Sequence, residues 1–254
     1  MSLLFRQRLA DGDRIEVAGV SVRLKVNGRA RRVSLRLDLS RGEMVATAPT
    51  LRQLPTAADF ALERAGWIRS QIAARPKPVG LEPGQSIEVL GRPCLLAHRP
   101  GRAAFRPAAA GEPAQIGVGG DPARFSNGVI RVLKVEALDF LAERTEVHAA
   151  ALGKPLPLVA VADARSRWGS CRPPRSRGFG AECEVGRIRY SWRLILAPWA
   201  VADYVAAHEV AHLVEANHSP RFWAVVKGLV GDHRPHRAWL REHGARLHAF
   251  GGGG

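Results

Sequence analysis

Three cysteines in 254 residues, Cys94, Cys171 and Cys183, are too few and too widely spaced for a disulfide framework. No CxxC pair offers a structural zinc site, and a reducing compartment is expected. No apolar run approaches the ~18 residues that a membrane span needs. The opening MSLLFRQRLADGD lacks the continuous apolar stretch of a secretory signal. These absences predict a cytoplasmic location and no membrane partner. No repeat of solenoid length occurs, and the only methionines are Met1 and Met44. Acidic residues are short too: 23 Asp and Glu against 38 Lys and Arg leave a net charge of +15. The simplest account of that excess is an arginine-rich solvated surface. The sharper account is an anionic partner, nucleic acid or nucleotide, concentrated by the field of the protein.

What is present begins with ordinary apolar content, 46 %, so the chain can bury a core and gross disorder is not expected. Residues 21–26 and 31–37 alternate apolar and basic, with Asn27-Gly28 between them as a hairpin signal. A strand near 44–48 and a helix over 55–74 complete a β-rich N-terminal unit, residues 1–82. Its hairpin carries Arg23, Lys25, Arg29, Arg31, Arg32 and Arg36, which read first as a solvated strand face. Residues 83–130 read as a hairpin at 87–97 followed by a Pro/Gly/Ala-rich connecting segment with a strand near 115–118.

A further domain is expected over 131–250, ahead of a flexible glycine tail at 251–254. Its first helix, 132–152, is predicted to bury Leu138, Leu141, Val147 and Leu152, with His148 as an ordinary surface or core histidine. Strands follow at 156–162, 179–185 and 188–196, the last two joined by Gly186-Arg187. Pro198 then opens a helix predicted to run to Asn217, and Ser219-Pro220 caps another. A last helix is expected at 237–248.

The helix after Pro198 carries His208-Glu209-Val210-Ala211-His212, an H-E-x-x-H. Histidines four apart share one helix face, where two imidazoles hold one Zn²⁺. Bound zinc lowers the pKa of water toward ~7, and Glu209 is placed as general base. A catalytic zinc takes about three protein ligands. His218, just past the predicted helix end, is preferred as the third over Glu242, and Glu215 would lie about 10 Å from His208 along the helix axis. The ligand order matches that of metzincins, but Glu215 replaces their glycine and no methionine follows for a Met-turn. The constellation predicts a zinc-dependent hydrolase, most simply a peptidase.

Four stretches resemble the YgjP-like metallopeptidase family: SRWGSC at 166–171, IRYSWRLILAP at 188–198, YVAAHEVAHL at 204–213 and NHSPRFW at 217–223. The resemblance covers residue 132 to the end, and extends more weakly to 20–74 through RARRVSLRL and GWI. It implies a zincin-like α+β fold, a sheet plus the H-E-x-x-H helix, related to SprT-like and Wss-type proteases. It implies zinc on His208, His212 and His218 with Glu209 as catalytic base, and strand 188–196 lining the cleft. Residues 172–186 look longer than the family's and could reshape the cleft rim. Arg167 is a candidate for stabilising an oxyanion or anchoring an anionic substrate. Trp168 is expected to pack a turn under the metal helix, Trp223 to pack the following helix, and Cys171 not to act as a nucleophile.

Two other readings are compatible with the sequence. The same metal could serve a nucleotide phosphoanhydride, which the positive charge would favour. The chain could also be a basic DNA-associated protease or binding module, since SprT-like relatives act on DNA-bound proteins.

Overall fold

The computed structural model describes residues 9–38, 43–73, 79–109, 111–164, 167–174 and 185–251. The chain forms two units, Met1–Lys77 and Pro78–Gly254, each with its own apolar core. The class is α+β.

In the first unit, strands β1 (Arg14–Val17) and β2 (Val20–Val26) form an antiparallel hairpin. Its turn, Ala18-Gly19, holds both residues at positive φ, 55° and 79°, as a two-residue hairpin turn with strand-matched twist requires. Strands β3 (Ser34–Asp38) and β4 (Glu43–Ala48) complete a sheet of order β1-β2-β4-β3. The hairpin expected across Asn27-Gly28 therefore does not form. Instead β2 runs parallel to β4, and β3 pairs with the other edge of β4. Burial explains the order: every residue of β4 is buried, so it takes an interior position, whereas Ser34 and Arg36 of β3 are exposed and suit an edge.

The expected helix at 55–74 is two, α1 (Leu54–Glu63) and α2 (Ala65–Ala73), divided at Arg64. Leu54, Ala57, Ala58, Ala61 and Ile68 bury against Val22, Leu24, Met44 and Ala46. Arg14 and Arg23 both bond the Glu43 carboxylate. Burial pushes that carboxyl up, but the two arginines outweigh it and hold it below its ordinary value. Arg29, Arg31 and Arg32 are exposed in the connection from β2 to β3.

The second unit opens with β5 (Ser86–Val89), β6 (Arg92–His98), β7 (Ala104–Arg106) and β8 (Ala114–Val118), a sheet of order β5-β6-β8-β7. Residues 83–130, read from sequence as a hairpin and connecting segment, thus carry a four-stranded sheet. Its Cys94, Leu96, Ile116 and Val118 share one core with the helices that follow. The long helix α3 (Phe125–Ala151) begins seven residues earlier than predicted.

Helix α3 buries Val129, Val132, Leu133, Ala137, Leu141, Thr145 and His148, whereas Leu138 and Val147 are 37 % and 45 % exposed. Leu141 of the predicted stripe is buried as expected, but the face turns away from Leu138 and Val147 and includes two polar members. Thr145 bonds the Leu141 carbonyl and the Tyr190 hydroxyl, and His148 donates to Asp203, so neither is left unpaired.

Strands β9 (Leu158–Ala162), β10 (Gly169–Arg172) and β11 (Arg187–Ser191) form a sheet of order β10-β11-β9. The predicted strand 188–196 ends at Ser191 and continues as a 3₁₀ turn, Trp192–Leu196. Arg193 is fully buried there; it bonds Asp163 and, through Nε and Nη2, the Phe250 carbonyl. The predicted strand at 179–185 falls outside the described residues except for Val185, and β11 finds its antiparallel partner in β10 instead.

Helix α4 (Trp199–Ala211) follows Pro198, and α5 (Pro220–Val230) and α6 (Arg234–Ala249) close the unit. Ser219 caps α5 by accepting from Phe222 N, with Pro220 at the first helical position, as expected. Among the described residues no helix is long and apolar enough to cross a membrane.

Candidate metal centre

Helix α4 is apolar nearly all round, with Val201, Ala202, Val205, Ala206, Val210 and Ala211 buried, so packing fixes its rotation. Its side toward β10 carries His208, Glu209 and His212. The helix stops at Ala211 with His212 as its C-cap, a turn and a half before Asn217. The early stop matters, because residues 213–219 can then fold back rather than continue along the axis. His218 returns to the histidine pair, and its Nε2 lies 3.1 Å from His208 Nε2.

One ligand-capable atom from each of His208, His212 and His218 lies within 4.8 Å of the others. Two nitrogens on one tetrahedral zinc, with Zn–N of 2.0–2.1 Å, stand about 3.3 Å apart, so the His208–His218 spacing suits a shared ion. His212 adds a second mark. Its Nδ1 donates to the Glu215 carbonyl at 3.0 Å, which fixes the proton there and leaves the Nε2 lone pair free for a metal. Glu215 thus serves through its main chain. Among the described residues Glu242 does not join the cluster.

His208 is held by packing: the rings of Tyr204, Phe222 and Trp223 surround it at 6.0, 4.9 and 5.9 Å, while its Nδ1 is buried with no hydrogen-bond partner among the described residues. Burial pushes its imidazole down to about 3, and the neighbouring histidines repel its proton further. Burial also lowers His212. Both rings are therefore neutral at physiological pH, the form that binds metal. The residues present fit a divalent ion of the zinc type.

Glu209 is buried beside β10. A Cβ on Gly169 would strike Glu209 Oε1 and stand 2.6 Å from its Cγ and Cδ. Burial pushes the Glu209 carboxyl up to about 7, against the pull of the Arg167 guanidinium. Arg167, Gly169, Ser170, Cys171, Glu209 and the three histidines line one cavity of about 380 Å³. The strand beside the metal helix is accordingly the edge strand β10 and not β11, which lies inside the sheet. Burial and the Glu209 charge push the Cys171 thiol up to about 12, so it carries no thiolate at neutral pH.

Trp168 stacks on His248 at 4.4 Å and lies against Gly244, so its ring packs on α6 rather than under α4. Trp223 stacks on His233 at 4.6 Å, just ahead of α6, and lies 5.8 Å from the His218 ring, steadying the returning loop. Residues 175–184, most of the segment read as unusually long, lie outside the described residues. The sequence reading missed the Gly169–Glu209 contact. It also missed Asp203, which accepts from His148 and Arg144, each at 2.7 Å, and so ties α4 to α3.

The profile of the YgjP-like metallopeptidase domain matches residues 31–243. The chain belongs to the YgjP-like family. Membership agrees with the zincin-like α+β fold and makes this a metal-dependent hydrolase domain of the metallopeptidase class. No curated protein and no solved structure matches the chain.

Proposed function

We propose that this YgjP-like protein is a zinc metallopeptidase in which His208, His212 and His218 hold the ion and Glu209 is the general base. The observation that carries the reading is the convergence of the three histidines, within 4.8 Å, beside a buried carboxylate in one cavity. Bound zinc supplies Lewis-acid chemistry, polarising a carbonyl and acidifying water. Glu209 removes the proton of the attacking water and returns it to the leaving amine. A carboxyl near 7 suits both halves of that transfer at neutral pH. Gly169 keeps the Glu209 side chain free of steric conflict, and Arg167 places a fixed positive charge in the cavity where negative charge develops on a scissile carbonyl.

The test is hydrolysis of casein by zinc-loaded protein, wild type against Glu209→Gln. The expected result is normal zinc content with turnover reduced about 10²–10⁴-fold. Full activity in Glu209→Gln removes the role. The net charge of +15 and the exposed Arg29, Arg31 and Arg32 favour a second reading, in which the substrate or partner is anionic. Nucleoside triphosphates in the same assay separate the two, and hydrolysis of nucleotides alone replaces the peptidase reading. Duplex DNA binding that falls steeply with salt would support a nucleic-acid partner, and no binding at low salt would remove it.

A further inference from the structure

The Pro78–Gly254 unit has a second concavity, about 590 Å³, between β5 and α6. None of the metal-site histidines lines it. Its first wall is the outer edge of β5, an edge strand of its sheet.

The pairing of β5 with β6 decides what that edge offers. Leu96 N donates to Gln85 O, which turns the Gln85 carbonyl toward β6. Bonded and non-bonded pairs alternate along an antiparallel ladder. Ile87 and Val89, opposite Cys94 and Arg92, therefore turn their main-chain groups toward β6. Ser86 and Glu88 turn theirs away, into the groove. Leu90 follows the same parity, and its outward N–H bonds the Ile195 carbonyl at 2.8 Å, which ends the groove on that side. No partner accompanies the outward main-chain groups of Ser86 and Glu88 among the described residues.

The facing wall is α6. Trp239 and His243 stack nearly parallel, with ring centroids 4.5 Å apart, and both line the groove. Arg246 lines the groove, is exposed, and has no carboxylate partner among the described residues.

We propose that this groove binds an extended acidic peptide segment as a strand added to the edge of β5. The peptide bonds the N–H and C=O groups of Ser86 and Glu88, rests an apolar side chain on Trp239, and places a carboxylate on Arg246. Four residues of strand span about 13 Å, the length of β5. Main-chain bonds provide affinity in this mode, and the alternate side chains provide selectivity. The groove is separate from the metal cavity, so a protein partner could be held there whatever bond is cut.

The probe is fluorescein-labelled TVEVTV, acetylated and amidated, titrated by fluorescence polarisation in the Glu209→Gln background so that it is not consumed. Saturable binding is expected. Ser86→Pro and Glu88→Pro each remove one outward N–H, a change an edge strand tolerates, and each should weaken binding about tenfold or more. Arg246→Glu should weaken it about tenfold and favour TVKVTV instead. The proposal is overturned by absence of saturable binding up to about 1 mM, or by equal binding of a peptide N-methylated at alternate amides. It is also overturned if the chain dimerises and Ser86→Pro abolishes the dimer, since the occupant is then a second copy.

Discussion

Gly169 and Glu209 occupy adjoining space that leaves no room for one more carbon. A Cβ at position 169 would lie 2.6 Å from Glu209 Cγ and Cδ. The contact joins edge strand β10 to metal helix α4 and sets where the carboxylate rests. Gly169→Ala is expected to displace Glu209 while leaving the histidines in place. Zinc content should then stay normal and kcat/KM fall about tenfold or more. Unchanged kcat/KM would show that the carboxylate has freedom that the contact denies it.

Arg167 opposes the burial that raises Glu209 to about 7. Removing a cation that favours the carboxylate lets the carboxyl keep its proton to higher pH. Arg167→Ala should therefore move the acid limb of the activity–pH profile upward, and Arg167→Lys should restore much of the original limb. A pH–rate series on the three proteins checks this, and a downward or absent shift contradicts it.

Asp203 anchors α4 to α3 through His148 and Arg144. Burial alone would raise its pKa, but the two bonds outweigh burial and hold it below the ordinary 3.8. A depressed carboxyl contributes stability above its unfolded value and loses it as pH falls through the folded value. Asp203→Asn should cost about 2–4 kcal/mol at pH 7. The difference from wild type should shrink below pH 4 and vanish once Asp203 is protonated. Denaturant unfolding across that range measures it, and a pH-independent difference would contradict the ion-pair account.

The metal helix was legible because its signals are local. Histidines four apart must share a helix face, and Ser219-Pro220 must suit a helix start whatever surrounds them. Long-range pairing was not legible. Nothing local to Glu43–Ala48 says that it will separate β2 from β3, so Asn27-Gly28 read as a hairpin turn. The strand beside the metal helix was placed at β11 instead of β10 for the same reason: β10 is short and gains its edge position only from the sheet.

Polar residues hid the buried face of α3, because Thr145 and His148 are satisfied by partners 45 and 55 residues away. Gly169 carried no local mark either. Its need for hydrogen in place of a side chain comes from a neighbour forty residues along the chain.

The central claim is that three histidines of this chain hold one catalytic zinc. Elemental analysis of purified wild type against His218→Ala tests it most directly. The account predicts about one zinc per wild-type chain and a clear loss of zinc in the variant, with the fold retained by circular dichroism. Equal zinc in both proteins would contradict the role of His218, and no metal in either after zinc loading would contradict the site.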